Sequence, residues 1–243
     1  MNRIINLVKK SLLLSTILLS ASSCYINTIS PEPGRITTEV RNTSSFTGLD
    51  IESGIRVTVT AGTSETVEIE AREGYQPYIL TEVRNNTLRV YIDRRLSNRR
   101  GSDIQAYITM RTLNYVSASG GSRVTTGDMF RPDRFDASLS GGSYLRVPVT
   151  TNAITVDASG GSEASISGSA QRINADELSG GSRLLAADLR VSSCTIDASG
   201  GSTADVNVSD ELNVRASGGS IVRYKGSPRI TQSVSGGSRV TPL

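Results

Sequence analysis

Residues 153–166 read AITVDASGGSEASI. Before the tetrapeptide Ser159-Gly160-Gly161-Ser162, apolar residues take alternate positions: Ile154, Val156 and Ala158. After it they alternate again, at Ala164 and Ile166. A period of two marks a strand with one buried face. Two glycines between two such strands allow the chain to bend sharply. The stretch therefore predicts strand, corner, strand.

The unit recurs. Ser-Gly-Gly-Ser starts at Ser119, Ser140, Ser159, Ser179, Ser199, Ser217 and Ser235, in steps of 21, 19, 20, 20, 18 and 18 residues. A fixed period of about 20 residues is the signature of a stacked-repeat architecture. Aligning the copies extends the pattern. The residue just before each motif is apolar in all seven: Ala118, Leu139, Ala158, Leu178, Ala198, Ala216 and Val234. Five before it stand Asn114, Phe135, Ile154, Asn174, Cys194, Leu212 and Ile230, read as one inward column. Two after the motif come Val124, Leu145, Ala164, Leu184, Ala204, Val222 and Val240. Each coil is then a strand, a corner, a second strand and a return turn, and the fold class is all-β, a parallel β-solenoid.

Stacked strands lie about 4.8 Å apart, so a corner side chain would meet its copies above and below. The corner glycines Gly120, Gly121, Gly141, Gly142, Gly160, Gly161, Gly180, Gly181, Gly200, Gly201, Gly218, Gly219, Gly236 and Gly237 are accordingly read as structural. By parity the motif's second serine points inward, where its hydroxyl can satisfy corner backbone groups. A phosphate cradle would need a helix N-terminus after the glycines, and strands are expected there. In the fourth coil, RINADELSGGS, one extra residue precedes Leu178, which predicts a bulge near Asp176-Glu177.

The first 23 residues form a targeting segment. Arg3, Lys9 and Lys10 precede the apolar run SLLLSTILLS, residues 11–20, which is too short to span a membrane as a stable helix. Ala21-Ser22-Ser23 and then Cys24 resemble a lipoprotein signal, so Cys24 is the expected lipidation site and the membrane the expected anchor. Residues 24–34 read as a linker, with two prolines and a glycine. The targeting segment holds three of the 26 basic residues and none of the 23 acidic ones, so the remainder carries no net charge. There is no global electrostatic case for a nucleic-acid partner. Without histidine the commonest general base and transition-metal ligand are missing. No cofactor is expected, and Cys194 reads as a small core residue.

Residues 35–116 read as an N-terminal β segment continuous with the repeats of 117–243. The alternating stretches include RITTEV, IRVTVTAG, ETVEIEAR, TLRVYI and IQAYITM. Asn85-Asn86 predicts a tight hairpin turn. GYQPYIL, residues 74–80, reads as an irregular crossover or short helix, and residues 94–101 as a basic loop. Ser53-Gly54 looks like a degenerate corner, which would start the solenoid before Ser119.

FTGLDIESGIRVTVTAG, ETVEIEA, TLRVYI and the repeated DASGGS, behind a lipoprotein-like signal, resemble the family called putative auto-transporter adhesin, head GIN domain, over roughly residues 40–240. The resemblance implies a right-handed parallel β-helix and an adhesin-like role, and it brings no functional residues with it.

One outward column carries candidate chemistry. Two residues before successive motifs lie Asp157, Glu177 and Asp197. Three stacked carboxylates repel unless a cation or arginine intervenes. The column is a candidate cation or metal site, or the acid and base of a polysaccharide-active enzyme. A solvated strand face balanced by Arg215 is the alternative. The column just after each motif, with Arg123, Tyr144, Glu163 and Arg183, mixes charges and reads as ordinary surface. The expected function is non-enzymatic binding or display at the cell envelope, with a glycan or protein ligand. Structural work in envelope assembly is the competing role. Tyr25 to Ile29 lacks an acidic export signal, so the periplasmic face of the outer membrane is favoured over the cell surface. Open solenoid ends are candidate surfaces for self-association.

Overall fold

The computed structural model describes residues 28–96 and 103–243. The targeting segment, Cys24 and part of the basic loop lie outside them. Seventeen strands join in one sheet system. The first seven are β1 (Ile36–Val40), β2 (Gly48–Ile51), β3 (Arg56–Ala61), β4 (Thr66–Arg72), β5 (Ile79–Arg84), β6 (Thr87–Ile92) and β7 (Gln105–Met110). The repeats supply β8 (Tyr115–Ala118), β9 (Arg123–Thr125), β10 (Arg134–Leu139), β11 (Tyr144–Ala158), β12 (Glu163–Leu178), β13 (Arg183–Ala198), β14 (Thr203–Ala216), β15 (Ile221–Lys225), β16 (Arg229–Val234) and β17 (Arg239–Pro242).

The result is a β-solenoid of about six turns. Strands before the corners stack in parallel as β2, β8, β10, the second half of β11, and onward to β16. Strands after the corners stack as β3, β9, the first half of β11, and onward to β17. Between them runs one continuous apolar core from Phe46 to Val222.

The degenerate corner is a true first coil. Ser53 and Gly54 both have positive φ, 67° and 77°. A Cβ on Gly120 would lie 3.3 Å from the Ser53 amide nitrogen, so the second corner sits directly on the first. Residues 48–61 thus belong to the stack. Beneath them β6 and β7 continue the stack, parallel to β2 and β3, and the rest of the N-terminal segment closes that end. β7 pairs in parallel with β3 and antiparallel with β4, which pairs with β1. β5 and β6 form a hairpin through Asn85-Asn86, with φ 49° and 61°, as a tight turn of that type requires. A 3₁₀ helix, Glu73–Tyr78, occupies the expected irregular crossover. Its Gln76 is buried and donates to the carbonyls of Thr37 and Ile69 at 2.9 and 3.0 Å, while Arg41 donates to its side-chain oxygen at 2.7 Å.

Two expectations change. Residues 28–34, read as part of a linker, lie against this cap: the Ile29 amide donates to Arg95 O and the Gly74 amide to Pro33 O. The second concerns Asn114 and Asn174, read as inward. Both sides of the register put Ile173 opposite Ile154 and Cys194, with Asn174 opposite Thr155 and Thr195. The bulge predicted at Asp176-Glu177 is present between the Ala175 and Leu178 pairings. It shifts the inward set by one residue, so Ile173 is buried and Asn174 faces out. At the stack's beginning Leu113 takes the buried place and Asn114 is exposed.

Candidate functional site

The corners are closed to ligands by their own hydrogen bonds. The second serines Ser122, Ser143, Ser162, Ser182, Ser202 and Ser220 are buried. Ser162 Oγ donates to Ser159 O at 2.7 Å, closing its own corner. Ser143 Oγ reaches Ala118 O on the preceding coil at 2.7 Å, and Ser182 Oγ reaches Ala158 O at 2.8 Å. A strand follows each corner, so no helix terminus stands ready to complete an anion cradle.

Function is therefore sought on the outward ladders. On the pre-corner face, strand register aligns Ser138, Asp157 and Glu177 on successive coils and, past the bulge that interrupts the β12–β13 register, Asp197 with Arg215. Asp157 stands opposite Glu177, and the bulge leaves Asp176 exposed beside them. Burial, then the charges of Asp176 and Glu177, push the Asp157 carboxyl above the usual aspartate value, against a hydrogen bond from the Glu177 amide. Among the described residues none of these four carboxylates has an ion-pair partner, although Arg215 pairs in register with Asp197. Side chains on a pleated face project side by side and do not converge. In keeping with this, no three potential ligands among the described residues come together to hold a metal ion. The neighbouring column, Asp136, Thr155, Asn174, Thr195, Asn213 and Thr231, is a row of short polar groups. Arg134 ties its first members together through Asp136 and Thr155.

The post-corner face carries the opposite charge. Register places Arg56 on Arg123 and Arg123 on Tyr144. The Arg123 guanidinium lies over the Tyr144 ring, 4.2 Å from its centroid. Arg146 projects on the same strand as Tyr144, opposite Thr125. Among the described residues Arg56, Arg123 and Arg146 have no carboxylate partner. Farther along, Arg183 pairs with Glu163, and Arg223 grips Asp205 through two bonds of 2.7 and 2.8 Å. Unpaired charge on the pre-corner strands is thus mostly acidic, with Arg172 and Arg215 as exceptions, and at Arg56, Arg123 and Arg146 on the post-corner strands it is basic. Sequence reasoning took the post-corner column as ordinary surface because its alignment began at Ser119. The signal was available at Ser53-Gly54: counted from that corner, Arg56 takes the place of Arg123.

Two other charged or reactive groups are accounted for structurally. Cys194 is buried in the core, which pushes its thiol up to about 12, well away from reactivity. Arg89 lies between Glu52, Glu82 and Asp50 at 2.7, 3.3 and 3.7 Å and over the Tyr91 ring, a network that joins the capping hairpin to the first coil.

Solved structures share this architecture. A putative adhesin from Bacteroides fragilis NCTC 9343 is 23% identical, with a TM-score of 0.76 over 88% of this chain and 98% of that one. A putative adhesin from Parabacteroides merdae ATCC 43184 is 15% identical, with a TM-score of 0.72 over 89% and 99%. A protein from Parabacteroides distasonis ATCC 8503 described as a putative lipid binding protein is 14% identical, with a TM-score of 0.67 over 89% and 99%. At such identities these similarities speak for the fold alone. No curated protein matches the chain. A family model does, over residues 45–228, which takes in both ladders and every corner but the last. The chain belongs to the family described as putative auto-transporter adhesin, head GIN domain.

Proposed function

We propose that the chain is a non-enzymatic, adhesin-like binding or display module of the cell envelope, held to the membrane by a lipid on Cys24. The observation that carries this reading is the polarised pair of flat outer faces, each with charges that the fold itself leaves unpaired. Uncompensated like charges on neighbouring strands cost stability, and a ligand of opposite charge would offset that cost. Contact is multivalent, because the same outward position repeats on coil after coil. The family to which the chain belongs supports the same reading. Among the described residues no helix is long and apolar enough to cross a membrane. The periplasmic side of the outer membrane remains the proposed location.

Three measurements test it. Metabolic labelling with palmitate is expected to mark the wild-type chain and not Cys24→Ser. Protease shaving of intact cells tests the location: no external cleavage is expected, and external cleavage would move the module to the cell surface. Incubation with acidic polysaccharides is expected to give no cleavage. Turnover lost in Asp157→Ala and Asp197→Ala would make the chain an enzyme and overturn the proposal.

A further inference from the structure

We infer that the basic half of the post-corner face, built by Arg56, Arg123 and Arg146 with Tyr144 and Tyr107, binds an anionic polysaccharide running along the solenoid axis. The inference rests on the binding reading above and names its ligand class.

Arg56 and Arg123 are direct partners on adjacent parallel strands, β3 and β9, and both are exposed. Like charges directly opposite destabilise a sheet. A soluble surface usually relieves such a pair with a carboxylate, and this one does so only beyond the cluster. On the side of the later coils the flanking carboxylates are committed, since Glu163 holds Arg183 and Asp128 accepts the Ala61 amide at 2.8 Å; on the cap side Glu68 and Glu70 of β4 stand opposite Tyr107 and Gln105, two strands away from Arg56. Arg146 on β11 adds a third guanidinium one strand further. Three fixed positive charges therefore lie on three consecutive strands, at steps of about 4.8 Å along the stack.

The side-chain chemistry narrows the ligand. A guanidinium is a planar fork that grips carboxylate, sulfate or phosphate oxygens in pairs, and it is always charged. Tyr144 stands directly next to Arg123 in the ladder, and Tyr107, which is 42% exposed, stands next to Thr58 on the outermost strand of this patch. A tyrosine offers a flat apolar ring with a polar tip, suited to the C–H face of a sugar. Thr58 and Thr125 fill the outward positions between. Arginine, ring and hydroxyl in a line match a polymer that carries acid groups and hydroxyls at regular intervals. An anionic bilayer is the other large polyanion, but it would meet the whole plane. Farther along that plane lie Glu163 and Asp205, and its outward positions offer few apolar side chains to insert, Ile221 and Leu185 standing well beyond the arginines.

The test uses the detergent-solubilised full chain with dextran sulfate, polygalacturonate, neutral dextran and vesicles of anionic phospholipid. Dextran sulfate or polygalacturonate is expected to bind, neutral dextran is not, and salt is expected to weaken the binding. Arg56→Gln, Arg123→Gln and Arg146→Gln should each weaken it about threefold to tenfold. All three positions are exposed, and an unchanged melting curve confirms that the variants fold. Arg190→Gln, exposed on β13 outside the cluster, should leave affinity unchanged. Binding that the triple variant retains in full, or equal binding of neutral dextran, overturns the inference. So do vesicles bound in an arginine-dependent way when neither acidic polymer binds. If the purified chain binds these polymers while cells producing it adhere no better than cells without it, the adhesion reading fails and this site stands.

Discussion

The two glycines of each corner look equivalent and are not. At Gly180 an added Cβ would lie 3.1 Å from the amide nitrogen and 3.5 Å from the Cα of Gly160, on the coil beneath. At Gly181 nothing lies within 4 Å, and only its φ of 75° restricts the residue. The first glycine answers to stacking and the second to the turn. The first coil supports the distinction. Ser53 occupies the first-glycine position with φ 67°, and among the described residues no corner glycine lies below it; its Oγ accepts the Ile92 amide at 3.4 Å. Gly181→Ala should therefore cost about 1–2 kcal/mol, the ordinary penalty of a left-handed residue with a Cβ. Gly180→Ala should cost more, because Gly160 cannot retreat without shifting the stack. Asn at 181 should cost less than Ala, since its amide bonds locally in that conformation. Urea unfolding of the three variants measures the order. Equal losses for the two alanine variants would show that crowding between coils contributes nothing.

At the level of the strand, the acidic ladder makes a pH prediction. Asp157 is raised by burial and by Asp176 and Glu177, so its charged form disfavours the folded state. A carboxyl with a raised folded value is most compatible with the fold when protonated. Its penalty sets in as pH rises from the ordinary aspartate range through the raised value, and it is complete above that. Asp157→Asn should thus be more stable than the parent at neutral pH, with the difference closing on acidification. Melting curves across that range check it, and a constant gap at all pH values would refute the assigned cause. This ladder was legible in the sequence because it depends only on a period of two and a fixed corner. The bulge was legible too, from the one extra residue before Leu178. Its consequence for Asn174 was missed because counting from the corner ignores the residue that the bulge adds. The basic face was missed for a different reason. Arg56 and Arg123 are 67 positions apart, and only the stacking of β3 on β9 makes them neighbours. Pairing between distant coils is set by the order of stacking, which local alternation does not encode.

Over the whole molecule the two ends of the stack are built differently. The N-terminal end is closed by the β5–β6 hairpin, the β7–β4–β1 sheet and buried Gln76. Among the described residues nothing comparable covers the C-terminal end. Its last coil continues the inward columns with poorer residues: Gln232 follows Val214, and Pro242 follows Tyr224. Val234, in the column of packed alanines and leucines, is 39% exposed, and most of β16 is exposed. A proline and an inward polar residue blunt an edge that could otherwise pair with another chain. They also weaken the coil that carries them. In a stacked-repeat protein each coil is held by its neighbours, and the last one has a neighbour on one side only. Hydrogen exchange should therefore be fastest in β16 and β17 and slowest in β12 and β13, with the first coil nearer the slow group because its end is capped. Uniform protection from β2 to β17 would mean that the solenoid opens as one unit and that the exposed last coil bears no cost. The same measurement reads out self-association, because a second copy seated on the open end would slow exchange in β16 and β17 as the protein concentration rises. Exchange there that is independent of concentration would remove the solenoid end as a contact between copies and leave the side faces to carry binding.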